Sequence, residues 1–257
     1  MALTEEIQKQ LLTALEKYNP ESPLTMLFDY VRIRFPTTDV KHVIEDILRL
    51  KPDMMIHEDF GFYSYSEHYV IGDVFVVTSA DEEKGTLLEL KGKGCRQMEG
   101  YLLAQHRSWY DFLMDALGDG GVMKRLDLAI NNMAGMLDIP DLTEKCNQEE
   151  CISVFRSFKS YRSGELVRSH EQDGYSMGNT LYIGSLKSEV YFCIYEKNYE
   201  QYVKNGIPIG DTKIKNRFEI RLKNERAYHA VCDLLNYYDA ELDRQAGCPY
   251  MENAAKD

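Results

Sequence analysis

The spacing of apolar residues predicts the same order of strands and helices twice along this chain. In the first series, four segments follow one another: a strand at 28–35, a helix at 40–48, a hairpin at 62–80 and a strand at 85–92. Gly94 then leads into one further helix, which is expected to continue to Leu113. Helices that follow strands without a strict βαβ alternation favour an α+β fold. We therefore expect mixed or antiparallel sheets with helices packed on one face.

The same order of elements returns after Gly121. The second series has a strand at 124–131, a helix at 138–151, a hairpin at 180–197, a strand at 216–224 and a helix at 225–238. The domain prediction is accordingly an N-terminal α+β half at 1–120, a C-terminal α+β half at 121–238 and a polar tail at 239–257. Such repetition is typical of an ancient duplication, and a chance recurrence of a common order is the alternative.

The charge of the chain restricts the kind of partner that it can bind. A net charge of -12 argues against a general nucleic-acid binder, because non-specific affinity comes from Lys and Arg that neutralise phosphates. The stretch 153–226 differs, since it holds 13 Lys and Arg against 9 Asp and Glu, a balance of +4. Any contact with DNA is therefore expected to centre on that stretch.

Apolar runs and cysteines indicate the compartment. No window approaches the roughly 18 uninterrupted apolar residues that a membrane span needs, and the first residues, MALTEEIQKQ, are acidic where a secretion signal is positively charged. The six cysteines form no CxxC pair, which favours free thiols in a reducing compartment over a zinc site. We predict a cytoplasmic protein with no membrane partner.

Alternation along three strands of the second series gathers polar side chains on one face. In 124–131, Leu126, Leu128 and Ile130 share the apolar side, so Asp127 falls on the other. The same alternation gives the neighbouring strands a polar set: Arg217, Glu219, Arg221 and Lys223 in one, and Tyr191, Cys193, Tyr195 and Lys197 in the other. A solvated sheet face is the simpler interpretation of such a pattern.

The alternative interpretation is a site for phosphoryl transfer. Carboxylates such as Asp127 and Glu219 suit Mg²⁺ or Mn²⁺, and neighbouring cations can hold the remaining phosphate charge. A tyrosine hydroxyl is a weak nucleophile until a cation or a base helps to remove its proton. Lys197, two residues after Tyr195, is placed to supply that charge.

A basic and aromatic segment lies at 155–169. It interleaves Arg156, Lys159 and Arg162 with Phe155, Phe158 and Tyr161. Such mixing suits stacking on unpaired bases together with phosphate contact, although many exposed hairpins have the same composition. The glycine-rich KGKGC at 91–95 lacks the spacing of a phosphate-binding loop and predicts a turn into a helix.

Five segments carry a resemblance to a known family. They are DYVRIRF (29–35), ELKGKGCRQME (89–99), KRLDLAINN (124–132), TLYIGSLKSEVYFCIYEK (180–197) and RFEIRLKNE (217–225). Together they resemble the replication initiation factor family, with the greatest similarity to relaxases of conjugative transposons. The family also includes initiators of rolling-circle plasmids, which cut one strand at an origin through a tyrosine and depend on a divalent metal. The resemblance thus implies a metal-dependent endonuclease that nicks DNA and transfers the strand.

The resemblance also implies roles for individual residues. Tyr195 matches the nucleophilic tyrosine, which would form a 5′-phosphotyrosyl intermediate, and Lys197 would assist it. Asp127 and Glu219 match acidic positions that would bind Mg²⁺ or Mn²⁺. The expected DNA contacts are Ser185, Lys187, Arg217, Arg221, Lys223, Arg156, Lys159 and Arg162. The half at 121–238 would then be catalytic.

Two departures from the family pattern keep a second interpretation open. The strand at 124–132 ends in Asn131-Asn132 where the family has Asn-Asp, which removes one carboxylate. The chain also ends in a polar tail, which predicts a shortened member. The alternative is therefore a non-catalytic protein of the same family that binds origin DNA or acts as a regulator. Expected partners are origin DNA, single-stranded or supercoiled, a second copy of the chain and a helicase.

Overall fold

A computed structural model describes residues 23–164 and 176–245. The chain divides into two compact units, each assembled from two stretches. Unit 1 takes the chain up to Asp29 and Asp127–Leu222, and unit 2 takes Tyr30–Leu126 and the chain from Lys223 onward. The strands are β1 Leu24–Phe35, β2 Ile56–Glu58, β3 Glu67–Ile71, β4 Val74–Thr78, β5 Thr86–Lys91, β6 Val122–Asn132, β7 Phe158–Gly164, β8 Ser176–Ile183, β9 Val190–Glu196 and β10 Asn216–Lys223.

The helices of the described residues are six in number. Helix α1 begins as an α-helical turn, Val40–His42, and continues as a π-helix, Val43–Ile47. The others are α2 Gly92–Ala104, α3 Trp109–Gly118, α4 Ile139–Asn147, α5 Lys197–Asn205 and α6 Glu225–Gln245. Short 3₁₀ turns lie at Pro52–Met54 and Ile209–Asp211. The predicted α+β class is confirmed.

Unit 2 is built on strands in the hydrogen-bonded order β2-β3-β4-β5-β1-β6. It contains β1 from Tyr30 onward and β6 up to Leu126. The pairs β2-β3, β3-β4, β4-β5 and β1-β5 are antiparallel. Helix α2 packs against β4 and β5, and α3 packs against α6. The core is apolar and fully buried around Val31, Ile33 and Leu88 of the sheet.

Unit 1 is built on strands in the order β1-β6-β10-β9-β8-β7, with β1 up to Asp29 and β6 from Asp127. The pairs β7-β8, β8-β9 and β9-β10 are antiparallel. Helix α4 covers one sheet face, where Ile139 packs with Leu181 and Ile194. Helix α5 contacts β8 and borders the other face, which carries the candidate site.

Most of the predicted elements are present, with differences that have local causes. The single helix expected from Gly94 to Leu113 is two helices, α2 and α3. Ser108 ends the continuity because it forms a capping box with Asp111, which starts a new helix. The helix expected at 138–151 ends at Asn147. The strands β2 and β7 were not predicted, and α6 continues into the segment expected to be a tail. Residues 246–257 lie outside the described part.

Two further properties of the described residues are the hydropathy of the helices and the state of the cysteines. Within 23–164 and 176–245, no helix is both long enough and apolar enough to cross a membrane. The five cysteines in the described part are free thiols, namely Cys95, Cys146, Cys151, Cys193 and Cys232. Cys248 lies outside the described residues.

Candidate active site

The registers of β8, β9 and β10 bring polar side chains into adjacent rows on one face of unit 1. Tyr195 of β9 is opposite Arg217 of β10, and Cys193 is opposite Glu219. Because alternate residues of a strand point to opposite faces, Tyr195 and Glu219 share a face, as the strand alternation predicted. That face is covered rather than solvated, since Glu219 is only 2% exposed.

Tyr195 and Glu219 form a direct hydrogen bond. The Tyr195 hydroxyl donates to Glu219 Oε1 at 2.8 Å. Lys197 Nζ lies 3.4 Å from the same hydroxyl oxygen and also donates to Glu200. The expectation that Lys197 continues the strand is wrong, because β9 ends at Glu196 and Lys197 is the first residue of α5. Its long side chain nevertheless reaches back to the tyrosine.

The surroundings of Tyr195 hold its hydroxyl in the neutral form. Burial raises the pKa of Tyr195 well above its usual range, and the negative charge of Glu219 raises it further, while Arg217 acts in the opposite direction. The hydroxyl therefore needs a base to take its proton at neutral pH. Glu219 is the carboxylate in hydrogen-bond contact with it, which makes Glu219 the nearest proton acceptor.

Arg221 links the two carboxylates that were expected to bind metal. Its Nε and Nη2 donate to Glu219 Oε2 at 3.0 and 2.6 Å, and its Nε lies 3.7 Å from Asp127 Oδ2. Asp127 is 3% exposed, so both carboxylates are buried beside this guanidinium.

The donor chemistry of Asp127 and Glu219 suits Mg²⁺ or Mn²⁺, which bind oxygen ligands. The arrangement does not fit such an ion, because Arg221 already supplies the positive charge between the carboxylates. Among the described residues, no group of three or more His, Cys, Asp and Glu side chains could hold a metal. The role of Asp127 and Glu219 as metal ligands stays a prediction.

Arg217 is engaged within unit 1. Its side chain is 9% exposed, its Nη1 donates to Asp29 Oδ1 at 2.9 Å, and its Nε donates to Asn131 Oδ1 at 2.8 Å. Asn131 is itself buried and donates to Thr25 Oγ1 at 3.3 Å. The guanidinium therefore ties β10 to β1 and β6, and its expected contact with DNA stays a prediction.

A cleft of about 350 Å³ opens beside Tyr195. It is lined by strands β7 to β10 and by α5, which contributes Glu200, Val203 and Lys204. Glu200 accepts hydrogen bonds from Lys197 and Lys204, and these two cations hold the pKa of Glu200 below its usual range although burial acts to raise it. A phosphate that entered the cleft would thus meet a neutralised carboxylate, Glu200, and the ammonium group of Lys204.

The turn between β8 and β9 lies apart from Tyr195. Ser185 and Lys187 are exposed in this turn, where Ser185 Oγ accepts from the Lys187 backbone nitrogen at 3.3 Å. The turn joins β9 at Val190, five residues from Tyr195, which is about 17 Å along a strand. The structure therefore does not bring Ser185 and Lys187 to the tyrosine, and any DNA contact there would involve a distant nucleotide.

The basic and aromatic segment forms the edge of the unit 1 sheet. Strand β7 is exposed along its whole length and pairs with β8, so that Lys159 is opposite Tyr182 and Tyr161 is opposite Thr180. By alternation, Lys159 and Tyr161 share the face of Tyr195, whereas Arg162 points to the other face. Arg156 precedes the strand and is exposed, and Lys223, the last residue of β10, belongs to unit 2.

Sequence reasoning missed three residues that shape the site: Glu200, Asp29 in its pairing with Arg217, and Tyr182. Tyr182 had a usable signal, because hairpin register places it opposite Cys193. Glu200 had only the i, i+3 spacing from Lys197, and that spacing has meaning only once α5 is known to be a helix. The pairing of Asp29 with Arg217 joins residues 188 positions apart and leaves no local signal.

Comparison with known sequence families identifies the class of protein. Residues 121–246 match the sequence family described as replication initiation factor, and residues 25–115 match the N-terminal domain of rolling circle replication initiation proteins. The chain belongs to this family of rolling-circle replication initiators and relaxases.

Two relatives support the same assignment. The chain is 44% identical over 223 residues to the Bacillus subtilis (strain 168) protein named "Putative DNA relaxase NicK". That match covers 86% of this chain and 62% of the relative, so the chain spans less than two thirds of the relative's length. A rolling circle replication initiator protein from Geobacillus stearothermophilus has a similar structure, with a TM-score of 0.67 and 25% identity, covering 86% of this chain and 84% of that chain.

Proposed function

We propose that this protein is a DNA relaxase and replication initiator that nicks one strand at an origin through Tyr195. The observation that carries the proposal is the hydrogen bond from the Tyr195 hydroxyl to Glu219, beside the cleft that Tyr195 lines and with Lys197 Nζ 3.4 Å from the hydroxyl. A nucleophile next to a base, held on paired strands, is the arrangement that covalent catalysis requires. The origin of a plasmid or of a conjugative transposon is the expected substrate, in single-stranded or supercoiled form.

The proposed reaction transfers one phosphoryl group from the 3′ oxygen of the DNA to the Tyr195 oxygen. Glu219 accepts the proton of Tyr195 as the phenolic oxygen attacks phosphorus. The bond from phosphorus to the 3′ oxygen breaks, and that oxygen takes a proton from water and leaves as a 3′ hydroxyl, while Glu219 returns its proton to solvent. The product is a 5′-phosphotyrosyl bond. Lys197 and Arg221 lie within reach of the tyrosine and the glutamate, where positive charge stabilises the equatorial phosphate oxygens.

The divalent cation belongs to this proposal only as a dependence expected from the family. Asp127 and Glu219 stay the predicted ligands of Mg²⁺ or Mn²⁺, although their arrangement with Arg221 does not fit the ion. Since Arg221 lies between these carboxylates, we derive no step from the ion. A second copy of the chain and a helicase remain expected partners of the same proposal.

The experiment is to incubate the full chain with an origin oligonucleotide in Mg²⁺ or Mn²⁺, digest the product and locate the phosphotyrosyl peptide by mass spectrometry. We expect the adduct on Tyr195 and none with Tyr195→Phe. Tyr191→Phe is the matched control, because Tyr191 lies four residues earlier on the same face of β9 and should leave cleavage intact. An adduct on another tyrosine would disprove the assigned nucleophile.

A non-catalytic, origin-binding regulator is the second candidate. It is favoured by the raised pKa of Tyr195, which burial and Glu219 cause, and by the position of Arg221 between the carboxylates. Origin binding without any adduct or nick, in Mg²⁺ and in Mn²⁺, would support this candidate and refute the nuclease.

A further inference from the structure

Unit 2 contains a second buried glutamate that is surrounded by tyrosines and cations. Glu89 of β5 is 1% exposed and accepts hydrogen bonds from the hydroxyls of Tyr30 and Tyr63, the latter at 3.0 Å. Arg32 of β1 lies directly opposite Glu89 in the strand register and forms an ion pair with it. The chemistry repeats the tyrosine, glutamate and arginine contacts of the candidate active site in unit 1.

The cations around Glu89 exceed its single negative charge. Arg32 pairs with Oε1, and Lys91 Nζ lies 3.4 Å from Oε2. The Arg125 guanidinium carbon lies 4.0 Å from the centre of the Tyr30 ring. Arg32 and Lys91 thus place two cations on one carboxylate, and this local excess of positive charge attracts an anion.

Two of these cations can reach a ligand. The Lys91 side chain is 62% exposed, and that of Arg32 is 23% exposed. Arg32 Nη2 donates to Tyr63 at 2.7 Å and to Tyr30 at 2.6 Å, and its Nε is directed to Glu89. Within the described residues, the Nη1 group of Arg32 makes no hydrogen bond, so one edge of the guanidinium can still donate.

The Tyr63 ring stands beside this charge on an exposed connection between β2 and β3, and the same connection carries Phe60. Tyr63 is 51% exposed and Phe60 is 62% exposed, and the Arg32 guanidinium carbon lies 4.5 Å from the centre of the Tyr63 ring. Both Tyr63 and Ser64 have left-handed backbone, with φ of 58° and 64°. Such conformations are unfavourable for side-chain-bearing residues and persist where surrounding contacts hold them, as at ligand clamps.

Those contacts are present at Tyr63 and Ser64. The Tyr63 hydroxyl is fixed by Glu89 and Arg32, and Lys84 Nζ donates to the Ser64 carbonyl at 2.7 Å. The ring of Tyr63 is therefore held in position with half of its surface open to solvent, beside cations. Single-stranded nucleic acid is bound by this combination of aromatic rings and positive charge.

We propose that unit 2 holds a second DNA site, in which Lys91 and Arg32 contact a backbone phosphate of an unpaired strand while Tyr63 and Phe60 stack on its bases. The site binds and does not cut, so it stands independently of the chemistry proposed for Tyr195.

The first test is binding of a fluorescent oligothymidine by the full chain at several salt concentrations. Tyr63→Ala should weaken binding about tenfold, the effect of losing one stacked base. Lys91→Gln should reduce the slope of log affinity against log salt by about 0.7, the effect of one lost phosphate contact on a single strand. Tyr237→Ala and Lys51→Gln are matched controls on exposed residues of unit 2 and should change neither quantity.

A second measurement keeps the inference testable if Tyr63→Ala lowers the stability of the fold. Ultraviolet crosslinking of a bromouracil oligonucleotide to the unsubstituted chain should label Tyr63 or Phe60. Labelling only elsewhere, or unchanged affinity and salt slope in both Tyr63→Ala and Lys91→Gln, would overturn the second site. Absence of an adduct on Tyr195 would refute the proposed nicking and leave these binding results unaffected.

Discussion

Arg217 is expected to stabilise unit 1, and its replacement by Ala is the most direct test of the buried polar network. The substitution removes the partner of Asp29 and leaves the Asn131 side-chain oxygen without its donor. An unsatisfied buried acceptor costs about 1–3 kcal/mol. A buried carboxylate that loses its cation costs about 3–5 kcal/mol, but the Asp29 side chain is 23% exposed and water will offset part of this.

We therefore expect Arg217→Ala to lower the free energy of unfolding by about 3 kcal/mol, after these reductions for solvent. For a chain of this size, this corresponds to a fall in Tm of roughly 6–12 °C. The assay is urea unfolding followed by circular dichroism, together with a thermal scan. Arg156→Ala is the control, because Arg156 is exposed and such changes usually stay within about 0.5 kcal/mol.

The cycle with Asp29→Asn isolates the ion pair from the rest of the network. The double variant Asp29→Asn, Arg217→Ala should be less destabilised than the two single losses combined, because each single variant leaves one polar partner unpaired. Equal stability of Arg217→Ala and Arg156→Ala would refute the structural role of Arg217. The contact with DNA predicted for Arg217 would then regain support, and a reduced salt slope in Arg217→Gln would measure it.

Two further predictions concern the candidate active site. Burial and Glu219 raise the pKa of Tyr195. The Glu219→Gln variant lacks the proton acceptor, so its tyrosine must lose the proton to hydroxide. Its nicking rate should therefore rise about tenfold per pH unit below the ordinary tyrosine pKa of about 10. Glu200→Gln, which alters a carboxylate bonded to Lys197 instead, should keep the unsubstituted profile, and parallel profiles for all three proteins would exclude Glu219 as the base. Because Arg221 lies between Asp127 and Glu219, Arg221→Gln should bind Mn²⁺ at least tenfold more tightly in the absence of DNA, as measured from the electron paramagnetic resonance signal of free Mn²⁺. If Arg221→Gln and Lys204→Gln bind Mn²⁺ with the same affinity, the Arg221 guanidinium does not block metal binding.

The sequence predicted the strands well because a two-residue period is a local property. The alternation of Arg217, Glu219 and Arg221 with apolar residues gave the correct face, and the register of β9 against β10 agrees with it. The same alternation favoured a solvated face for these polar residues, because polar residues on an antiparallel strand usually face water. Here Glu219 and Arg217 are buried, which becomes favourable only because each has partners from other strands.

Contacts between distant segments could not be predicted. Arg221 reaches Asp127 across β10 and β6, and no spacing in the sequence distinguishes this guanidinium from an exposed one. The unit 2 cluster was missed for a similar reason, because Tyr63 lies in a connection without periodicity and meets Glu89 only through the fold. Glu89 lies within the strand predicted at 85–92, but nothing local indicates its two tyrosine partners.

The charges of the candidate active site bear on how an acidic chain would act on DNA under the proposed function. Around Tyr195, the cations Arg217, Arg221, Lys197 and Lys204 are each paired with a carboxylate of unit 1. A site neutralised in this way stabilises a reacting phosphate by local reorientation of paired charges, but it contributes little long-range attraction. Under the proposed function, we therefore expect the affinity for DNA to come from exposed cations outside the site, such as Lys159 on the edge strand β7 and Lys91 in unit 2. The proposals for Tyr195 and for unit 2 thus assign cleavage and binding to different residues, so substitutions at Tyr195 and at Lys91 should affect different steps.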